Sequence, residues 1–149
     1  MKVVVIDDDP FVLSLMKAML QRKGHTVLAY SNPLECPVYH ASSYPCAVAS
    51  PCPDIIITDY DMPQVNGMEF LMYAYERRCR CKNVAIITGK GVDEANMIRM
   101  AKLGVRYFLK PIDFDELYDW MSRVQIHDSS DCCGDGSCGR NSEICRPEA

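Results

Sequence analysis

Long apolar runs are missing from this 149-residue sequence. None approaches the ~18 residues of a membrane span, so no membrane partner is expected. Positive charge is also in short supply: 16 Lys and Arg face 20 Asp and Glu, a formal net charge of −4. A basic nucleic-acid footprint is therefore missing, and no direct nucleic-acid partner is expected. Histidine and tryptophan are few, with 3 and 1 copies. His25, His40 and His127 show no metal-ligand spacing, and no Ser–His or Cys–His arrangement for nucleophilic catalysis is apparent. The start, Met1-Lys2-Val3-Val4-Val5-Ile6-Asp7, turns acidic too soon for a secretion signal, so a cytoplasmic location is expected. Cysteine, by contrast, is plentiful at 9 copies, an odd number. With nothing routing the chain outward, reduced thiols are the default. A chain of this length buries roughly 68–70% of its unfolded surface, so the core needs no disulfide or metal.

Short apolar runs alternate with helix-like stretches over residues 1–126. Val3 to Ile6 is β-branched and continuous, the pattern of a strand covered on both faces. Asp9-Pro10 offers a helix cap and a proline at the first helical position, and Lys23-Gly24 closes that helix. Thr26 to Tyr30, Asp54 to Thr58, Val84 to Thr88 and Arg106 to Leu109 read as four further strands. Helices are predicted from about Met68 to Arg78, from an Asp93 cap to Lys102 with a stop at Gly104, and from an Asp113–Glu116 capping box to about Gln125. Pro33, Pro37, Pro45, Pro51 and Pro53 interrupt residues 31–53, where only short or irregular helical turns are expected. The alternation implies an α/β fold, a doubly wound five-stranded parallel sheet with helices on both faces and an irregular second helix. After Ile126 the periodicity stops. Residues 127–149, with five acids against two arginines, read as a flexible, Cys-rich acidic tail behind a 1–126 domain.

In open parallel sheets, ligands bind beyond the carboxyl ends of the strands. Those ends carry Asp7-Asp8-Asp9, Asp59-Tyr60-Asp61, Thr88-Gly89 and Lys110-Pro111. Crowded carboxylates repel unless a cation joins them, and hard oxygens suit Mg²⁺. A cation, the Lys110 ammonium and the Thr88 hydroxyl together suit a phosphoryl group. The nucleophile is then a carboxylate forming an aspartyl-phosphate, placed at Asp59 on the end of the central apolar strand. Asp9 is read as a helix cap rather than a ligand.

These residues resemble the receiver domain of two-component response regulators, close to the single-domain chemotaxis type. The matching pieces are Asp7-Asp8, Asp59 with Met62-Pro63 and Asn66-Gly67, Thr88-Gly89, and Tyr107-Phe108-Leu109-Lys110-Pro111, over about residues 2–126. The resemblance implies a flavodoxin-like receiver fold and a signalling switch that catalyses only its own phosphorylation and dephosphorylation. Asp59 would accept the phosphoryl group from a sensor histidine kinase or phosphotransfer protein. Mg²⁺ would be held by Asp8 and Asp59 directly, by the Asp61 backbone carbonyl, and by Asp7 through water. Lys110 would pair with Asp59, and Thr88 would bond a phosphate oxygen. Tyr107 would swing inward as Thr88 moves, changing the surface of the fourth helix, fifth strand and fifth helix for a downstream partner. Asp61 and Lys90 lie where the family tunes water access, and their opposite charges suggest a pair over the site.

Two departures stand out. From Asp8 to Asp59 is 51 positions, more than the family needs, with the excess in residues 31–53. Residues 127–149 are also too short for an output domain, so output is expected from a partner protein, a phosphorelay step or the tail. Two rival readings follow. Cys36, Cys46, Cys52, Cys79, Cys81, Cys132, Cys133, Cys138 and Cys145 would make a receiver-like module a metal or redox sensor, although paired C-x2-C spacing is lacking. Asp59-Tyr60-Asp61 also fits an Asp-nucleophile phosphatase of the haloacid dehalogenase type, but there the metal-binding acid pair follows the nucleophile rather than preceding it.

Overall fold

A computed structural model describes residues 1–36, 39, 53–77, 79 and 81–124. Expectations for the tail, for His40 and for Cys46 and Cys52 lie outside the described residues. Five parallel strands, β1 (Lys2–Ile6), β2 (Thr26–Tyr30), β3 (Ile55–Asp59), β4 (Asn83–Thr88) and β5 (Arg106–Leu109), form one sheet in the order β2-β1-β3-β4-β5. Four α-helices, α1 (Pro10–Arg22), α2 (Gly67–Glu76), α3 (Glu94–Lys102) and α4 (Phe114–Arg123), cover its two faces, as the sequence pattern implies. Of the segment expected to hold an irregular second helix, the described part contains a 3-10 turn, Pro33–Glu35, capped by Asn32, and Tyr39 in helical conformation.

Side-chain alternation along the strands divides the core. Val3, Val5, Ile55, Ile57 and Ile87 pack on one face with Met16 and Leu20 of α1 and with Leu117 and Met121 of α4. Val4, Ile6, Ile56 and Ile86 pack on the other with Phe70, Leu71 and Ala74 of α2 and with Met100 of α3. Each fully buried Val, Ile, Leu, Phe or Met among them contributes about 1.5–3 kcal/mol. This double burial is why β1 and β3 are continuously apolar. It also leaves their polar ends as the places where acids gather.

Turn chemistry fixes where the helices stop. Gly24 (φ 82°) and Gly104 (φ 67°) adopt the left-handed conformation one residue past the caps of α1 and α3. The following N–H groups, on His25 and Val105, return to the carbonyls of Leu20 and Met100. Asp113 caps α4 as expected, accepting from the N–H groups of Asp115 and Glu116. The Glu116 carboxylate does not complete the expected capping box. It pairs with Arg106 at 2.7 Å, because the β5 side chain offers a full positive charge where the backbone offers only a dipole. The helix ends at Arg123, with Val124 already extended, short of the expected Gln125.

Because all five strands run the same way, their carboxyl ends share one edge. The chain leaves β1 toward β2 on one side and returns to β3 on the other, opening a crevice between the ends of β1 and β3.

Candidate functional site

At that crevice the Asp7 N–H still donates to the Tyr30 carbonyl (3.2 Å), extending the β1–β2 pairing by one residue. Asp7 is buried, whereas Asp8 reaches solvent. Asp59 is the last residue of β3, in register with Ile87, and only 3% exposed. Carboxylate oxygens of Asp7, Asp8 and Asp59 lie within 4.8 Å of one another. Lys110 follows β5, held by its N–H to the Thr88 carbonyl (2.8 Å) and preceding a cis bond to Pro111. Its ammonium lies 2.6 Å from Asp59 Oδ1 and 3.1 Å from Asp7 Oδ2. The amine thus bridges two strands' acids, where the sequence reading gave it Asp59 alone.

One ammonium does not balance three carboxylates. Burial, reinforced by the charges of Asp7 and Asp8, raises the Asp59 carboxyl above its ordinary pKa even against the Lys110 hydrogen bond. Burial also works against the Lys110 charge, but the hydrogen bonds and charges of Asp59 and Asp7 outweigh it and hold the ammonium above its usual range. Compact, hard, partly exposed oxygen donors with a deficit of positive charge fit Mg²⁺. Among the described residues this is the one group of three or more acids, histidines or cysteines able to hold a metal. Cys36, Cys79 and Cys81 form no such group. Asp9 stays outside it, capping α1 through the Phe11 N–H at 2.8 Å, as expected.

Thr88 ends β4 fully buried, its hydroxyl donating to the Lys90 carbonyl (2.7 Å) and accepting from the Lys90 N–H (3.2 Å). Tyr107 is 41% exposed, so its ring lies outward in this conformation. Asp61 and Lys90 are both exposed and form no ion pair, correcting that expectation.

Two features were not singled out from the sequence. The first is the steric role of Gly67, which enters above only within the Asn66-Gly67 motif. A Cβ at this position would meet the Asp59 carbonyl oxygen at 2.1 Å, so only glycine lets α2 start against the strand end. Its poor helix propensity at a helix start was the available signal. The second is a polar cluster in which Asn96 Nδ2 donates to Tyr60 Oη (2.8 Å) and to Asp93 Oδ2 (2.8 Å). The Asn96 N–H, with the Asn96 and Tyr60 side chains, holds the Asp93 carboxyl below its usual range. Nothing in the spacing of 60, 93 and 96 announces it.

This arrangement has relatives. The transcriptional regulatory protein AruR of Pseudomonas aeruginosa is 30% identical over 118 residues, covering 78% of this chain and 46% of AruR. A chemotaxis protein CheY homolog of Campylobacter jejuni is 28% identical over 114 residues, 74% of this chain and 82% of that protein. The chain thus spans less than half the length of AruR and a quarter of some other curated relatives. The crystal structure of a response regulator receiver domain protein from Clostridium thermocellum superposes with a TM-score of 0.65 at 29% identity, covering 83% of this chain and 92% of that one. The response regulator receiver domain family matches residues 3–122. With the acids, the hydroxyl and the amine on one edge of a doubly wound sheet, the chain belongs to that family of two-component signalling domains.

Proposed function

We propose that the chain is a phosphorylation-dependent switch of a two-component or phosphorelay system, with Asp59 as the phosphoacceptor. Residues 1–126 act as the receiver, residues 127–149 as a tail, and the chain works in the cytoplasm. The observation that carries this reading is the Lys110 bridge to Asp59 and Asp7 beside the exposed Asp8. An Asp59 oxygen attacks the phosphorus of a phosphohistidine on a sensor histidine kinase or phosphotransfer protein. The P–N bond breaks, and its electron pair leaves with the imidazole nitrogen. Asp8, Asp59 and the Asp61 carbonyl would hold Mg²⁺, with Asp7 assisting through water. When bound, the ion supplies positive charge to the phosphoryl oxygens. Lys110 follows the charge from Asp59 onto its phosphate, and Thr88 gives up Lys90 to bond a phosphate oxygen. Tyr107 then turns inward and reshapes the α3–β5–α4 face for a downstream protein.

Incubation with acetyl phosphate and Mg²⁺, followed by mapping of the modified residue, tests the reading. One phosphate on Asp59 is expected, and modification elsewhere or none at all rejects it.

Lys110→Ala leaves two buried carboxylates without their common cation. The metal-free variant is expected to lose about 3 kcal/mol of stability in urea unfolding, with partial recovery in millimolar Mg²⁺. It still takes some phosphate but no longer transmits the change. Unaltered stability or unaltered partner binding on phosphorylation counts against the role of Lys110.

A further inference from the structure

Tyr60 directly follows Asp59, and its backbone is pinned on both sides. Its N–H donates to the Ile87 carbonyl (2.8 Å), and its own carbonyl accepts from the Gly67 N–H (3.0 Å). Any displacement of the Asp59 main chain is therefore passed to the Tyr60 ring rather than absorbed in a loop. The ring reaches α3, where Asn96 Nδ2 meets the phenol oxygen at 2.8 Å. The same amide group bonds Asp93 Oδ2, while Asp93 Oδ1 caps the helix by accepting the Asn96 N–H (2.9 Å). The phenol thus holds the cap of α3 itself.

Among the described residues that end of α3 is lightly packed, with Val92, just before the cap, reaching the core. Met100, in the last turn, is the one buried residue of the helix, and Glu94, Ala95, Met97 and Ile98 are exposed. Beside the first turn lies a cavity of 420 Å³, bounded by Asn66, Tyr73, Asn96 and Arg99 among others. Beyond the packing of Val92, polar contacts place the start of this helix. A second tie, the Thr88 hydroxyl on Lys90, restrains the connection from β4 into α3. In the proposed phosphorylated state Thr88 leaves Lys90, and the phenol–amide bond remains as a link between the sheet and the helix start.

We propose that Tyr60 is a positioning residue whose hydroxyl, through Asn96, carries the state of the acid cluster to the first turn of α3. Its consequence for signalling rests on the phosphorylation reading above; the tether itself does not.

Amide hydrogen exchange on the full chain, at rest and after acetyl phosphate with Mg²⁺, tests the idea. Tyr60→Phe keeps the ring and removes only the hydroxyl. At rest, amides in the first turn of α3 are expected to exchange about fivefold to tenfold faster in Tyr60→Phe than in the parent, the effect of one modest hydrogen bond. Asn96→Ala has a similar effect, and the double variant is no faster than Asn96→Ala alone, as for two ends of one contact. On phosphorylation the parent's α3 exchange shifts severalfold, while that of Tyr60→Phe shifts by less than about twofold. Unchanged resting exchange in Tyr60→Phe overturns the tether. A full phosphorylation response in that variant overturns the coupling. A parent that takes no phosphate refutes the phosphorylation reading and the coupling with it, while the resting comparison still judges the tether.

Discussion

In Asp59→Asn, phosphate uptake from acetyl phosphate is expected to fall at least about a hundredfold, because an amide oxygen is no competent nucleophile toward phosphorus. The fold survives the change. The side chain sits at the end of β3, where the amide still fits and still offers Lys110 an acceptor. Stability should move the other way from activity. Asp59 has a raised carboxyl pKa in the folded chain, so its ionisation costs stability once the pH climbs through that value. Below the unfolded carboxyl pKa the cost disappears. The metal-free Asn variant should therefore show a higher urea midpoint than the parent at neutral pH. The two should converge in strong acid, and the gap should narrow when Mg²⁺ is added to the parent. Full phosphate incorporation in Asp59→Asn, or a lower midpoint at neutral pH, contradicts the placement of the nucleophile in this hollow.

Gly67→Ala is expected to destabilise the protein by about 3 kcal/mol, against the helix propensity that favours alanine over glycine by about 1 kcal/mol. The added methyl would lie 2.1 Å from the Asp59 carbonyl oxygen and 3.2 Å from the Tyr60 Cα, both on backbone that cannot rotate away. Relief requires α2 to retreat or the end of β3 to shift. Either movement also strains the Gly67 N–H bond to the Tyr60 carbonyl. Phosphorylation should weaken along with stability, since the displaced carbonyl belongs to the nucleophile's own residue. Urea unfolding and acetyl phosphate labelling of the same preparation measure both effects. A neutral or stabilised Gly67→Ala would mean the close approach does not exist.

Much of the architecture could be read from the chain because the local signals agreed with the global fold. The β-branched runs at 3–6 and 55–57, the caps at Asp9 and Asp93, and the stops at Gly24 and Gly104 each specify an element within a few residues. Parallel strands bring their carboxyl ends to one edge, so the grouping of Asp7, Asp8, Asp59 and Lys110 followed from topology before any distance was known. Where two partners competed for one side chain, the outcome was not readable. Glu116 suited a capping box on spacing, yet Arg106, ten residues away, took the carboxylate. Asp61 and Lys90 suited each other on charge, yet the fold leaves them unpaired with one another.

What the sequence determined by itself was the class of fold, the edge that carries the chemistry, and the residue types gathered there. These depend on short-range periodicity and on the rule that apolar stripes must be covered. Tertiary structure alone decided that Lys110 spans Asp59 and Asp7, that Gly67 must lack a side chain, and that Tyr60 reaches Asn96. Each depends on ångström-scale separation between groups 8 to 103 positions apart in the chain. No local propensity encodes such a distance. It is set when the two faces of the sheet pack to full density and the strand ends come to rest.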